Sequence, residues 1–231
     1  MLKGVIFDLD DTLYDYQTVN KVAENYILMY MADQYQLDNK LVKEAVDNGK
    51  RMTKKLLTEG AAQHSRLLYY QHALEVLEVN PIGKAWRLEC LFWDKFLDRI
   101  ELYSGVKDVL DWLKEKNIKI GICTDLTAGI QHQKLMKLGL DKYVDALVTS
   151  EEIGYEKPDK RMFQQVLDKL KLEAKDVVMV GDSWDKDVQG AVAMGIKSIW
   201  KQNNGNGLLQ NGIWKFANYQ DGYLVNLIKE I

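Results

Sequence analysis

Three carboxylates follow an apolar run near the start of the chain: Asp8, Asp10 and Asp11. The run before them, residues 5–7, has the composition of a buried β-strand. Side chains two positions apart on a strand share a face, so Asp8 and Asp10 are expected to point into one small volume. Carboxylates that close raise each other's pKa, and an oxygen-seeking cation such as Mg²⁺ relieves the repulsion. The segment is therefore a candidate metal or acid–base site, and an acidic turn is the simpler alternative.

A second buried apolar strand, residues 177–180, ends in Gly181 and Asp182, and Asp187 follows soon after. Asp182 is placed to complete a Mg²⁺ site begun by Asp8, while Asp187 is a candidate for an outer position, holding Lys157 or a metal-bound water. Acidic turn chemistry with helix capping explains the same residues without a metal.

Two further segments carry weaker signals. Residues 120–125 form a strand pattern that ends in Thr124 and Asp125, where a hydroxyl and free amides could bind phosphate oxygens. Lys157 follows Glu156 before a helical pattern and could neutralise the charge of a phosphoryl group. Taken alone, Thr124 is better explained as a helix N-cap and Lys157 as a surface lysine.

The elements that must position these residues alternate between strand and helix from residue 104 onward, which predicts crossover units and a parallel sheet. The first strand, residues 5–9, must belong to this sheet. Parallel strands place ligand sites at their carboxyl ends, where all four segments lie. Strands are predicted at 118–123, 146–148, 177–180 and 197–200, helices at 106–116, 128–138, 161–171, 187–194 and 223–231, and an Asn/Gly-rich loop at 203–212.

Residues 17–100 have a helical texture without a convincing strand, with stretches around 41–57, 67–77 and 84–97. They therefore form an insertion just after the first strand. The expected fold class is α/β, a Rossmann-like three-layer core with a parallel sheet plus an inserted helical bundle. The expected domains are a core of residues 1–16 and 101–231 and a helical domain of residues 17–100.

Bulk properties limit the function classes. A net charge of −3, with both signs interspersed over 231 residues, indicates no general attraction to nucleic acid or to an anionic membrane. The two cysteines, Cys90 and Cys123, have no metal-ligand spacing and form no disulfide framework. We expect a cytoplasmic protein, a monomer or homodimer, whose partner is a small molecule.

Together, the four segments strongly resemble the motifs of the haloacid dehalogenase-like hydrolase superfamily, in its phosphatase branch with an α-helical cap inserted after the first motif. The combination is far more specific than any one motif. The matching residues are Asp8, Asp10 and Thr12 for the first motif, Thr124 for the second, Lys157 for the third, and Gly181, Asp182 and Asp187 for the fourth.

The resemblance implies a role for each residue. Asp8 would be the nucleophile that forms an aspartyl-phosphate, and Asp10 the general acid and then base. Mg²⁺ would be held by Asp8, by the backbone carbonyl of Asp10 and by Asp182, and Lys157 would screen phosphate charge with it. Thr124 would hydrogen-bond the transferring group, with Asp125 and Lys157 also in the substrate site.

Three positions bear on the substrate. Dehalogenases of the superfamily lack an acid at the place of Asp10, so carbon–halogen cleavage is not expected. Asp11 stands where many members carry glycine, although Asp also occurs there among phosphatases. Asp125 stands where Asn is frequent, which puts the substrate type, more than the chemistry, in doubt. The predicted function is Mg²⁺-dependent hydrolysis of a small soluble phosphomonoester, a sugar phosphate or nucleoside monophosphate. A phosphosugar mutase and a non-catalytic binding protein are the alternatives.

A cap of this kind would close over the site and contact the leaving group. Several polar and aromatic side chains are candidates for that contact, although such residues more often pack in a core. They are Tyr14, Tyr16, His64, Arg66, Tyr69, Trp86 and Trp93.

Overall fold

The computed structural model describes residues 2–210 and 212–231, which form two compact units. The described residues of Met1–Asp15 and Glu101–Ile231 make up one, the α/β unit. Tyr16–Ile100 make up the other, the helical unit.

The helical unit contains four α-helices and one 3₁₀ turn, Ala61–His64. The first helix buries Ala23, Ile27 and Met31, a four-residue spacing that places them on one face. The second and third helices approach closely at Gly49, where a Cβ would collide with the backbone of Tyr69. The helices are α1 (Tyr16–Tyr35), α2 (Asn39–Leu56), α3 (Arg66–Val76) and α4 (Lys84–Leu97).

Arg66 lies in the core of the helical unit. Its side chain donates hydrogen bonds to the Tyr16 hydroxyl at 2.7 Å and to Asn20 Oδ1 at 3.0 Å. A buried guanidinium is stabilised by such partners and by aromatic faces. Its central carbon lies within 5.0–5.5 Å of the ring centroids of Tyr69, Phe92 and Trp93. Within this unit, Arg66 therefore holds helices together.

The α/β unit is built on one seven-stranded sheet in the order β3-β2-β1-β4-β5-β7-β6, parallel except for β6. Strand β1 lies between β2 and β4, with Phe7 paired to Ile122 and Val180. The chain moves outward from β1 in both directions, so the carboxyl end of β1 is the topological switch point. The strands are β1 (Gly4–Phe7), β2 (Lys119–Thr124), β3 (Ala146–Thr149), β4 (Val177–Gly181), β5 (Lys197–Lys201), β6 (Gly207–Gln210) and β7 (Ile213–Phe216).

Helices connect these strands and cover the sheet. Strand β2 packs closely against α8 at Gly121. This residue has no Cβ, and a Cβ there would collide with the side chains of Val166 and Leu170. The side chain of Asp159 caps the start of α8 by accepting a bond from the Arg161 amide. The helices are α5 (Val106–Glu115), α6 (Ala128–Lys137), α7 (Ser150–Ile153), α8 (Lys160–Leu170), α9 (Gly190–Ala193) and α10 (Tyr223–Glu230), with a 3₁₀ turn at Ala174–Asp176 and a π-helical turn at Trp184–Gln189.

Two local expectations are wrong. Residues 203–212 are not all loop, because they contain β6, and β7 follows them, so the sheet extends beyond the last of the predicted strands, residues 197–200. The sequence Gly-Leu-Leu-Gln of β6 is short and contains no β-branched residue, so it gives little strand signal. The expected helix at 187–194 is split between the π-helical turn and α9.

The α/β class with a mostly parallel sheet is confirmed. None of the helices in the described part of the chain combines the length and apolar character needed to span a bilayer.

Candidate active site

Asp8 and Lys157 form a buried ion pair at the switch point. Asp8 follows directly after β1, and Lys157 Nζ lies 2.6 Å from Asp8 Oδ1 and 2.6 Å from Asp187 Oδ1. All three side chains are at most 8% exposed. Burial disfavours the ammonium, but the carboxylates of Asp187 and Asp8 outweigh it and raise the Lys157 pKa. The third-motif lysine is thus a fixed positive charge against the candidate nucleophile.

Thr12 connects the first and fourth motifs. Its hydroxyl oxygen is fully buried, 3.1 Å from Asp8 Oδ2 and 3.2 Å from Asp182 Oδ1. It also accepts a hydrogen bond of 3.1 Å from the Asp182 amide, and its own carbonyl accepts one from the Tyr219 hydroxyl at 2.9 Å. Thr12 therefore fixes the separation of Asp8 and Asp182.

Asp187 reaches this cluster because of local backbone geometry. The π-helical turn after β4 places its carboxylate directly against Gly181, where a Cβ would collide with it. The Ser183 amide donates to Asp187 Oδ2 at 3.0 Å. The glycine before Asp182 is required for this close approach.

The chemistry of the cluster fits a divalent cation. One carboxylate oxygen from each of Asp8, Asp182 and Asp187 can be chosen so that all lie within 4.8 Å of one another. Burial, followed by the Asp187 and Asp11 carboxylates, raises the pKa of Asp182 to about 6. Burial also raises the pKa of Asp8 against the opposing effect of Lys157. These surroundings disfavour ionisation of the two carboxyl groups, and a bound hard cation would stabilise their ionised forms.

The carboxylate of Asp10 is turned to different partners. Lys134 Nζ lies 2.9 Å from its Oδ1 and 2.8 Å from its Oδ2, and the Tyr14 hydroxyl donates to Oδ1 at 2.6 Å. Its side chain is not part of the three-carboxylate group, so only its backbone carbonyl is a candidate metal ligand. Lys134 is completely buried.

Thr124, the last residue of β2, is buried and held by α6. Gln131 Nε2 donates to Thr124 Oγ1 at 2.8 Å and to the Asp125 carbonyl at 2.7 Å. Gln131 and Lys134 lie three positions apart on the buried face of α6. One helix thus positions residues of the first and second motifs.

Asp125 has both carboxylate oxygens engaged by the protein. Oδ1 accepts a bond of 3.1 Å from the Lys157 amide, and Oδ2 lies 2.8 Å from Lys186 Nζ. Lys186 also pairs with Glu156 at 3.0 Å. The Asp125 carboxylate therefore connects the second motif to the third through the Lys157 amide and to the fourth through the Lys186 ammonium. A direct contact between Asp125 and the substrate stays a prediction.

Asp11 occupies a left-handed backbone conformation, with φ of 60°. Aspartate is among the few non-glycine residues that adopt this region readily. Its carbonyl accepts a bond of 3.0 Å from Lys201 Nζ, at the end of β5. The conformation explains why either aspartate or glycine suits this turn.

The predicted residues are distributed as follows. Asp8, Lys157, Asp182 and Asp187 come together in one cluster, joined by Thr12, in which only Asp182 is half-buried rather than buried. Thr124 and Asp125 lie at the carboxyl end of the neighbouring strand, and Asp10 is held by α6. Three site residues, Gln131, Lys134 and Lys186, were not predicted from the sequence. The available signal for Gln131 and Lys134 was a polar side chain on an otherwise apolar helix face, and for Lys186 a charge near the motif loops.

Comparison with known protein families shows which family this chain belongs to. The sequence model of the haloacid dehalogenase-like hydrolases matches residues 5–201. The chain belongs to this family. The match spans all four motifs of the cluster and confirms the resemblance drawn from them.

Two relatives and one solved structure of the haloacid dehalogenase-like type are informative. The ribulose-1,5-bisphosphate 5-phosphatase of Halopiger xanaduensis is 38% identical over 201 residues, 86% of this chain and 84% of that protein. The glyceraldehyde 3-phosphate phosphatase of Methanothermobacter thermautotrophicus is 29% identical over 199 residues, 86% and 85% of the two chains. The magnesium-bound HAD-hydrolase YfnB of Bacillus subtilis has the same fold, with a TM-score of 0.70 and 19% identity over 99% of each chain.

Both curated relatives are phosphatases, and this member of the family is accordingly a phosphoric monoester hydrolase acting on a phosphorylated metabolite.

Proposed function

We propose that this haloacid dehalogenase-like hydrolase is a Mg²⁺-dependent phosphomonoesterase for small phosphorylated sugars, working through an aspartyl-phosphate on Asp8. The observation that supports it most is the buried Asp8–Lys157 pair at 2.6 Å, beside Asp182 and Asp187. A nucleophilic carboxylate must approach an anionic phosphoryl group, and a fixed lysine with a metal site reduces that repulsion.

The metal would be held by Asp8, Asp182 and the backbone carbonyl of Asp10. When bound, it would neutralise charge on the phosphoryl oxygens. The raised pKa values of Asp8 and Asp182 support this assignment, because Asp8 is buried, Asp182 is half-buried and both lie close to other acids. Asp187 pairs with Lys157 and with the Ser183 amide, which suits an outer, orienting position.

In the first step, an Asp8 carboxylate oxygen forms a bond to phosphorus as the bond from phosphorus to the ester oxygen breaks. Asp10 donates a proton to that oxygen, so the product leaves as a neutral alcohol. Lys157 stays beside Asp8 and interacts with the phosphoryl oxygens. Thr124, at the end of the adjacent strand, donates its hydroxyl hydrogen to the transferring group.

In the second step, water attacks the phosphorus of the aspartyl-phosphate and gives a proton to Asp10. The bond from phosphorus to Asp8 breaks, which releases inorganic phosphate and restores both carboxyl groups to their starting states. Asp10 thus acts first as acid and then as base, and no proton is gained or lost over the cycle.

The substrate class follows from the curated relatives. The two named above act, by their names, on ribulose 1,5-bisphosphate and on glyceraldehyde 3-phosphate, both phosphorylated sugars. The similarity extends over more than four-fifths of each chain, which supports a substrate of this kind here. Nucleoside monophosphates form the second class to test.

The test is phosphate release from glyceraldehyde 3-phosphate, ribulose 1,5-bisphosphate and uridine monophosphate, with Mg²⁺ or with EDTA. We expect release from a phosphorylated sugar that requires Mg²⁺ and is abolished by Asp8→Asn. Release that persists in EDTA contradicts the metal requirement. Equal turnover by Asp8→Asn contradicts the nucleophile, and no release from any of the three esters contradicts the proposed substrate class.

A further inference from the structure

Lys134 is a buried charge with an unusual location. It lies in the middle of α6, its side chain is 0% exposed, and its ammonium contacts both oxygens of Asp10, at 2.8 and 2.9 Å. Burying a lysine costs several kcal/mol unless it is paired, so such a residue is expected to have a specific role. It belongs to none of the four motifs.

The geometry around Asp10 is fixed from two sides. Lys134 approaches from α6, while the Tyr14 hydroxyl donates to Asp10 Oδ1 at 2.6 Å from the same loop as Asp10. The Lys134 ammonium also lies 5.9 Å from the centroid of the Tyr14 ring. Three hydrogen bonds thus hold a carboxylate whose own side chain is 20% exposed and would otherwise sample several rotamers.

We propose that Lys134 is a positioning residue for catalysis, and that with Tyr14 it sets the orientation in which Asp10 exchanges protons with the leaving alcohol and the attacking water. The inference rests on the proposed function, since it assigns a device to the same reaction. General acid–base catalysis depends on hydrogen-bond geometry at the proton that moves, so loss of orientation reduces rate more than binding.

The same helix gives this assignment a structural reason. Gln131, one turn before Lys134, holds Thr124 and the Asp125 carbonyl. Helix α6 therefore holds the second motif through Gln131 and the Asp10 carboxylate of the first motif through Lys134. A shift of α6 would move both together.

The first test compares two esters in Lys134→Met, which removes the ammonium and retains an unbranched side chain of similar length. With glyceraldehyde 3-phosphate, kcat is expected to fall about 10- to 100-fold, a part of the 10²–10⁴ that acid–base catalysis supplies, while KM changes less than about threefold. Tyr14→Phe should also lower kcat, but by a smaller factor. Lys137 is an exposed lysine of the same helix, and Lys137→Met should have the kcat of the parent.

The second ester, p-nitrophenyl phosphate, has a leaving group that needs no proton. In Lys134→Met the first step on this ester should remain near the parent rate, whereas hydrolysis of the aspartyl-phosphate slows. A burst of about one nitrophenolate per enzyme should then appear, with phosphorylated Asp8 accumulating in quenched samples. A general loss of structure would instead lower both steps and both esters equally, which contradicts the inference.

The deciding comparison is a double-mutant cycle with Asp10→Asn. If Lys134 acts through Asp10, Lys134→Met should lower kcat by less than about twofold in the Asp10→Asn background. An undiminished effect in that background overturns the inference. Should Lys134→Met fail to fold, judged by circular dichroism, Tyr14→Phe is carried through the same cycle, because it removes only a hydroxyl.

The activity of the parent enzyme distinguishes failure of the proposed function from failure of the Lys134 inference. A parent that hydrolyses neither ester contradicts the proposed function, and the inference fails with it. A parent that is active, with Lys134→Met and Tyr14→Phe equally active on glyceraldehyde 3-phosphate, contradicts the inference alone.

Discussion

Lys157 lies with its ammonium nitrogen 2.6 Å from Asp8 Oδ1, and both side chains are buried. The pair joins the loop before α8 to the first residue after β1, at the switch point of the sheet. A second bond of 2.6 Å links Lys157 to Asp187. The candidate nucleophile is therefore held next to a positive charge that is itself fixed by the fourth motif.

Replacing Lys157 should affect both catalysis and stability. Lys157→Met leaves Asp8 and Asp187 close together without a counter-charge, so we expect a loss of about 3 kcal/mol in the free energy of unfolding. Loss of electrostatic stabilisation of the phosphoryl group should reduce kcat by at least about 10²-fold. Urea unfolding and phosphate release measure the two effects. The exposed Lys160→Met is the control, and equal behaviour of both variants contradicts the assigned role.

Gly181→Ala tests the close approach of Asp187. The added Cβ collides with the Asp187 carboxylate and should displace it from Lys157 and from the Ser183 amide. We expect kcat to fall about 10-fold or more, since positioning of Lys157 is lost.

The matched control for that variant is Gly129→Ala, because Gly129 lies in α6 and a Cβ added there would meet open space. It should stabilise the protein by about 0.5–1 kcal/mol and leave activity unchanged. An active Gly181→Ala would show that the Asp187 contact is dispensable.

The Asp182 carboxylate predicts a pH-dependent stability. Burial and neighbouring acids raise its pKa from an ordinary 3.8 to about 6, so above pH 6 its ionisation opposes folding in the metal-free protein. Asp182→Asn should therefore be more stable than the parent in EDTA at pH 7.5, by on the order of 1 kcal/mol. The advantage should disappear as the pH falls from about 6 toward 4, because the folded parent then keeps a proton that the unfolded chain loses.

Adding Mg²⁺ at pH 7.5 should reverse the order, stabilising the parent and not Asp182→Asn. Thermal unfolding with Mg²⁺ or EDTA at several pH values measures both effects. A Mg²⁺-induced rise in Tm of equal size in parent and variant would remove Asp182 from the metal site.

Asp11 supplies a test of the first-motif turn. At φ of 60°, Asp11→Gly should be neutral or slightly stabilising, whereas Asp11→Val places a β-branched residue in a disfavoured region and should cost about 1–3 kcal/mol. Chemical denaturation of the two variants gives the difference. A valine variant as stable as the glycine variant contradicts the backbone argument.

Much of the fold was predictable because its signals are local. The apolar runs of β1, β2 and β4 and the acids after them are visible in sequence, and parallel pairing brings their ends together. The last two strands, β6 and β7, were not predicted, and β6 in particular is short and lies in a stretch rich in Gly and Asn. Its pairing is fixed by tertiary contact with β7.

The support of the site was less predictable than its central residues. Helix α6 carries two lysines, Lys134 and Lys137, and only the three-dimensional structure shows that Lys134 is the buried one. The engagement of Asp125 by Lys186 also depends on loops far apart in sequence. Such pairings need the fold to be known before they can be assigned.

In the proposed mechanism, Asp8 becomes covalently phosphorylated during turnover. The most direct measurement is mass spectrometry of acid-quenched samples of the parent mixed with Mg²⁺ and glyceraldehyde 3-phosphate on the millisecond scale. We expect the mass of one phosphoryl group on the peptide that contains Asp8, appearing before free phosphate and absent in Asp8→Asn. Rapid phosphate release with no phosphoryl group on Asp8 at any quench time, or release by Asp8→Asn at the parent rate, would contradict it.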